Sequence, residues 1–187
     1  MVVIKEENKM TLEQEIISSF SENTISKLDL LSIFGNTQLL GKIVKVLAEP
    51  FRNQVDYVAS PEATGWILGA MVAAELGVDF IGIRKEGKSP YTRDRVIVQN
   101  YVDYSKTQKG VELRKDAIPS KSKILFVDDW IETGETTNAC LRLIEKLGSI
   151  PVGIATLNIE KKAPSQEWIK KSVVLRQVGV TITLPTN

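Results

Sequence analysis

Apolar residues recur along this chain with two periods, and the switches between them mark out its elements. Leu12, Ile16, Ile17 and Phe20 fall on one helical face, and Thr11 followed by Gln14 has the spacing of a capping box, which predicts a short first helix. Leu39, Leu40, Ile43, Val44 and Leu47 repeat at helical spacing after Asn36, so a second helix is expected, closed at about Pro50. From Val55 the texture changes to β-rich runs separated by helices. Val55–Ala59 reads as a strand, about Thr64–Leu76 as a helix and Val78–Ile83 as a strand, together a βαβ unit. Arg95–Tyr101 and Gly110–Arg114 read as strands around the polar stretch Asp103–Lys109, which predicts a hairpin with a mobile tip. Lys123–Val127 is a continuous apolar strand ending in two aspartates. Cys140, Leu143, Ile144 and Leu147 then predict a helix ending at Gly148, followed by a strand over Ile150–Leu157. This alternation predicts an α/β fold: a mostly parallel sheet flanked by helices on both faces, with a β-hairpin and a small N-terminal helical part.

Composition narrows the chemistry. The 187 residues, 43% of them hydrophobic, suffice to bury a full core without metal or disulfide support. Lys and Arg number 24 against 23 Asp and Glu, a net charge of +1. No basic surplus therefore drives sequence-independent binding to nucleic acid or to a membrane surface, and any charge-based function is local. The absence of histidine excludes a Ser-His-Asp triad, a Cys-His pair and a histidine zinc site. The single cysteine, Cys140, excludes an internal disulfide and fits a reducing compartment, so a cytoplasmic location is expected. The first ten residues read as a leader without the pattern of a secretory signal. Gly65–Val78, the longest weakly polar stretch, carries Glu75 and is too short to span a bilayer.

The informative segment is ILFVDDWIETGETT, from Ile124 to Thr137. In an open parallel sheet, ligands bind beyond the carboxyl ends of the strands, so Asp128 and Asp129 should point into a site where carboxylates can accept hydrogen bonds from sugar hydroxyls. Glu132, Thr133, Gly134, Glu135 and Thr136 then form a turn into a helix, whose free N–H groups and positive dipole end suit a phosphate. The bland alternative is that paired Asp and Thr residues only end a strand and cap a helix.

These residues resemble the type I phosphoribosyltransferases, whose signature is an apolar strand, two acidic residues, two apolar residues and a Thr-Gly phosphate turn. Two further segments are similar to the adenine phosphoribosyltransferase branch: EATGWILG from Glu62 to Gly69 followed by AAELGV, and the Ile81–Pro90 segment containing IRKEGKSP. VLAEPF before the first strand and LRKDAI from Leu113 add to the likeness, which covers roughly Leu30 to Glu160. The resemblance implies transfer of a phosphoribosyl group from 5-phosphoribosyl 1-pyrophosphate to a purine base, adenine favoured, with Mg2+ bound through the substrate. It implies that Asp128 and Asp129 hold the ribose and that Glu132 to Thr136 wrap the 5′-phosphate. Ala63, Thr64 and Gly65 in the pyrophosphate loop, with Arg84, Lys85 and Lys88, would then serve the pyrophosphate. Read as chemistry alone, Arg84, Lys85 and Lys88 are equally a solvated turn. The resemblance further implies a homodimer with the hairpin as a lid. Residues 1–35 would be a leader and a helical base-side segment, and residues 36–187 the phosphoribosyltransferase-like domain.

Three departures stand out. Thr64 occupies the place of an arginine, Glu132 and Glu135 put acids beside the phosphate turn, and Asp103, Tyr104 and Lys106 replace a Glu-Tyr pair in the mobile loop without a clean register. The base-side stretch Leu28-Asp29-Leu30 also lacks the usual arginine. No catalytic acid or base is assigned. Transfer to another acceptor, and a regulator that binds phosphoribosyl pyrophosphate without turnover, stay open.

Overall fold

In the computed structural model, which describes residues 10–19, 30–103, 105–159 and 176–179, Thr11 and Gln14 exchange both hydrogen bonds of a capping box. They start α1 (Leu12–Ser19). A single turn, α2 (Leu31–Phe34), leads to α3 (Thr37–Ala48), where the Asn36 side chain accepts the Leu39 N–H at 3.1 Å. Lys42 on α3 pairs with Glu15 on α1, and Ile16, Leu30 and Ile33 lie buried with Ile43 and Leu47 in one cluster. The leader over 1–9, Phe20, Leu28, Asp29, Tyr104 and Glu160 lie outside the described residues.

Beyond a 3-10 turn over Glu49–Phe51, the chain forms β1 (Tyr57–Pro61), α4 (Thr64–Leu76) and β2 (Asp79–Lys85), with β1 and β2 parallel. The strands β3 (Val96–Val102) and β4 (Gln108–Arg114) make an antiparallel hairpin, joined through β4 to the end of β2. Then come β5 (Lys123–Ile131), α5 (Glu135–Lys146), β6 (Ile150–Ile159) and β7 (Arg176–Gly179). The strand order is β3-β4-β2-β1-β5-β6-β7, parallel from β2 to β7.

Alternate residues of the central strands feed two cores, as period-two geometry requires. Val58, Leu125, Val127, Ala155 and Leu157 meet α3 and α4 on one face. Ala59, Ile124, Phe126 and Ile154 meet α5 and the hairpin residues Val111 and Leu113 on the other. Helices thus cover both faces, as expected. Two features differ from the sequence reading: β5 continues from Val127 to Ile131 because β6 stays alongside it, and β7 adds a strand that no pattern announced.

The hairpin tip is an Asx-type turn. One Asp103 carboxylate oxygen accepts the Ser105 N–H at 2.9 Å, the Ser105 hydroxyl at 2.6 Å and the Thr107 N–H at 3.1 Å, and the Lys109 ammonium pairs with the other. The carboxyl is held well below the usual carboxylate range, first by Lys109 and then by the Ser105 hydroxyl.

Two predictions follow from packing and charge. An ideal Cβ on Gly69 of α4 would lie 1.9 Å from Ser60 Oγ, whereas one on Gly41 of α3 meets nothing within 4 Å. Gly69→Ala is therefore expected to lose roughly 1–2 kcal/mol, overpacking outweighing the gain in helix propensity, and to melt about 2–6 °C lower. Gly41→Ala should gain up to about 1 kcal/mol, and thermal denaturation checks both. For Asp103, a depressed folded pKa means that its contribution is fully present above the unfolded value of about 3.9 and is lost as pH falls through the folded one. Hydrogen exchange should show Ser105 and Thr107 amides keeping their protection from pH 7 down to about 4, while Asp103→Asn exposes them severalfold at neutral pH.

Candidate active site

The winding of the sheet reverses at β1, which has β2 on one side and β5, reached only after the hairpin, on the other. A crevice opens at such a switch point, outside the carboxyl ends of the strands. Here it is a cavity of about 730 Å³, and its wall contains Asp128, Asp129, Glu132, Thr133, Gly134, Glu135 and Thr136 together with Arg84, Lys85 and Lys88. Ten of the residues singled out from sequence are therefore gathered from two separate stretches of chain. Ala63, Thr64 and Gly65 are not part of that wall. Ala63 precedes α4, Thr64 begins it, and Gly65 stands directly behind Asp128, where a Cβ would come within 3.0 Å of Asp128 Oδ1.

Asp128 and Asp129 sit within β5. The Asp128 side chain, 8% exposed, accepts the Asp129 N–H at 2.9 Å, and Asp129 in turn accepts the Trp130 N–H at 3.0 Å. The buried Thr156 of β6 donates its hydroxyl to the Asp129 carbonyl at 3.2 Å, fixing the backbone that carries the pair. Burial pushes the Asp128 carboxyl well above the usual carboxylate range, and the charge of Asp129 adds to the shift. A buried carboxyl beside a second one favours a cation or a hydrogen-bond donor in front of it.

The turn after β5 ends at Gly134, whose φ of +80° places it in the left-handed region that glycine adopts without a Cβ clash. Gly134 is the N-cap of α5 and brings no capping side chain of its own, and the first residues of α5, Glu135 to Thr137, line the cavity. That is the geometry of an anion site at a helix N-terminus. Thr136 donates its hydroxyl to the Tyr101 hydroxyl at 3.2 Å, which ties this turn to the hairpin strand β3.

The opposite wall is cationic and braced. Arg84 pairs with Glu62 at 3.6 Å, and Glu62 also accepts the Lys85 N–H at 2.9 Å, so the turn after β1 and the end of β2 are held together. Arg93, in the loop after β2, faces Glu86 at 3.8 Å. With Lys109, five cationic side chains line the cavity, against seven acidic ones. Three of the five, Arg84, Lys85 and Lys88, gather at the end of β2 and the turn after it.

Sequence reasoning passed over Trp66, Glu62 and Tyr101 as site residues. Each acts on a partner from another element, and no local spacing announces such contacts. The one available signal was the run of apolar residues around Trp66, which reads equally well as core.

The family model described as Phosphoribosyl transferase domain matches residues 31–183. An adenine phosphoribosyltransferase of Myxococcus xanthus is 37% identical over 131 residues, covering 69% of this chain and 68% of that one. The crystal structure of adenine phosphoribosyltransferase from Rhodothermus marinus superposes with a TM-score of 0.72 at 30% identity, covering 82% of this chain and 84% of that one. The Saccharomyces cerevisiae adenine phosphoribosyltransferase, in complex with an imino-altritol bisphosphate and adenine, superposes with a TM-score of 0.72 at 25% identity, covering 91% and 98%. With the acid pair and the turn after it standing at the switch point of a sheet of this kind, the chain belongs to the phosphoribosyltransferase family.

Proposed function

We propose that this protein transfers the phosphoribosyl group of 5-phosphoribosyl 1-pyrophosphate to a purine, adenine favoured, and releases pyrophosphate. One observation carries the reading: a single cavity joins the Asp128–Asp129 pair, the N-terminal start of α5 and the Arg84–Lys85–Lys88 cluster. A ribose with a phosphate at one end and a diphosphate at the other needs those three features in that company. Relatives bearing the name adenine phosphoribosyltransferase support the choice of base.

In this mechanism Asp128 and Asp129 accept hydrogen bonds from the ribose hydroxyls. The backbone N–H groups of Glu132 to Thr136, with the Thr133 and Thr136 hydroxyls, hold the 5′-phosphate. Arg84, Lys85 and Lys88 stabilise negative charge as it develops on the departing diphosphate, while Ala63, Thr64 and Gly65, at the start of α4, serve the pyrophosphate from outside the cavity wall. A ring nitrogen of the base forms the new bond to ribose C1 while the bond from C1 to the diphosphate oxygen breaks, and the base nitrogen gives up its proton to solvent or to the departing diphosphate. No protein nucleophile is required, so a chain without histidine can do this.

The donor set suits magnesium, a hard cation that takes oxygen ligands: Asp128 is a buried carboxyl facing a second one, without a compensating cation. Asp128 and Asp129 would hold the ion, which would supply charge neutralisation of the diphosphate when bound with the substrate. The hairpin β3–β4 serves as the lid that excludes water, and residues 1–35 supply the base side of the site to the 36–187 domain. The protein acts as a homodimer in the cytoplasm, on small-molecule substrates rather than nucleic acid or membrane. Among the described residues no helix is long and apolar enough to cross a bilayer.

Glu132 and Glu135 in the cavity wall favour a second reading, transfer to another acceptor or binding without turnover, since acids beside a phosphate oppose it. Incubation with magnesium, phosphoribosyl pyrophosphate and a panel of bases separates them. Pyrophosphate release is expected with adenine above all other bases, and binding without release from any base would establish the regulator instead. Asp129→Asn keeps an oxygen for the Trp130 N–H but loses its charge. Calorimetry should find phosphoribosyl pyrophosphate bound about 10- to 100-fold more weakly, with an unchanged melting temperature.

A further inference from the structure

The geometry points to Trp66 as a positioning residue for Arg84. Its indole holds the Arg84 guanidinium at the cationic end of the cavity, so the affinity of that end for a diphosphate depends on a ring outside the cavity wall. The nature of the anion rests on the phosphoribosyl pyrophosphate reading, whereas the stack stands independently of it.

Trp66 is fixed from three sides. Its Nε1–H donates to the carbonyl of Ser60 on β1 at 3.0 Å and to that of Ile83 on β2 at 3.2 Å. Two acceptors from neighbouring strands set the plane of the ring. Gly82 leaves the space it occupies, since a Cβ there would fall 2.8 Å from Trp66 Cε2. Gly82 and Arg84 lie two apart on β2 and share a face, so the indole that covers Gly82 also lies under Arg84. The guanidinium carbon is 4.8 Å from the ring centroid, within the range of a cation–π contact.

The stack matters because of what lies on either side of Arg84. Among the described residues it alone lines both the main cavity and a second one of about 360 Å³, whose wall includes Tyr91 and the nearly buried Glu112. A carboxylate there offers the guanidinium a competing place. Trp66 and Glu62 together, one beneath its face and one at its edge, hold it on the side of Lys85 and Lys88. Stacking engages only the face of the guanidinium and leaves its in-plane N–H donors for phosphate oxygens.

The test compares Trp66→Leu, Trp66→Phe and Arg84→Ala, with the double variant Trp66→Leu/Arg84→Ala, by calorimetric titration with magnesium pyrophosphate. Trp66→Leu is expected to weaken binding about 3- to 10-fold, and Trp66→Phe, which keeps an aromatic face, to restore it to within about twofold. In the Arg84→Ala background the Trp66→Leu change should cost less than about twofold. A second readout needs no ligand: the Arg84 Nε–H resonance of the unmodified protein should carry the ring-current shift of a stacked guanidinium, retained in Trp66→Phe and lost in Trp66→Leu. Equal losses in both backgrounds, or an Arg84 resonance that does not move in Trp66→Leu, overturn the inference. Absence of magnesium pyrophosphate binding by the unmodified protein would count against the phosphoribosyl pyrophosphate reading and against the diphosphate as the anion served, while the resonance decides the stack itself.

Discussion

The position of β1, paired in parallel with β2 on one side and β5 on the other, is the constraint on which the site depends. A strand so placed is saturated along both edges, and the chain leaves it through α4 toward β2 and returns on the opposite side as β5. The carboxyl ends of the two halves diverge there, and a crevice opens that no side chain has to be removed to form. Among the described residues, the acid pair, the turn after it and the Arg84–Lys85–Lys88 cluster gather round that gap. The turn after β1 and the end of β2 bring Glu62 and the basic residues, while β5 and the start of α5 bring the acid pair and the turn from Glu132 to Thr136.

The second constraint is the length of β5. Core burial alone would have ended the strand at Val127, where the apolar run stops. Pairing with β6 carries it on to Ile131, so Asp128 and Asp129 sit on regular backbone, and the Thr156 hydroxyl bonds the Asp129 carbonyl from the side. A rigid strand is a better mount for a carboxylate than a loop, because the strand alongside, here β6, holds its direction. The cost is electrostatic: Asp128 is buried beside another carboxyl and is pushed toward its neutral form in the free protein.

Opposite charges share the cavity without cancelling each other's roles. Glu62, Glu86 and Asp103 are engaged with Arg84, Arg93 and Lys109, so much of the acidic lining serves to hold cations in place. The Tyr101–Thr136 hydroxyl bond joins the hairpin to the turn into α5.

Periodicity in the sequence determined the elements themselves, because helical and strand spacing are local properties of the chain. The capping box at Thr11 and Gln14, the helix after Asn36 and the helix over Thr64–Leu76 all stand where the pattern put them. The ILFVDDWIETGETT segment likewise announced a strand, an acid pair and a turn into a helix. Strand ends were less legible, since whether β5 stops or continues is decided by β6 alongside it and not by its own residues. No local pattern announced β7, the brace from Glu62 to Arg84 and Lys85, or the indole of Trp66 spanning the carbonyls of β1 and β2. The partners in these contacts are distant in sequence, and only the folding of the sheet around β1 brings them within reach of one another.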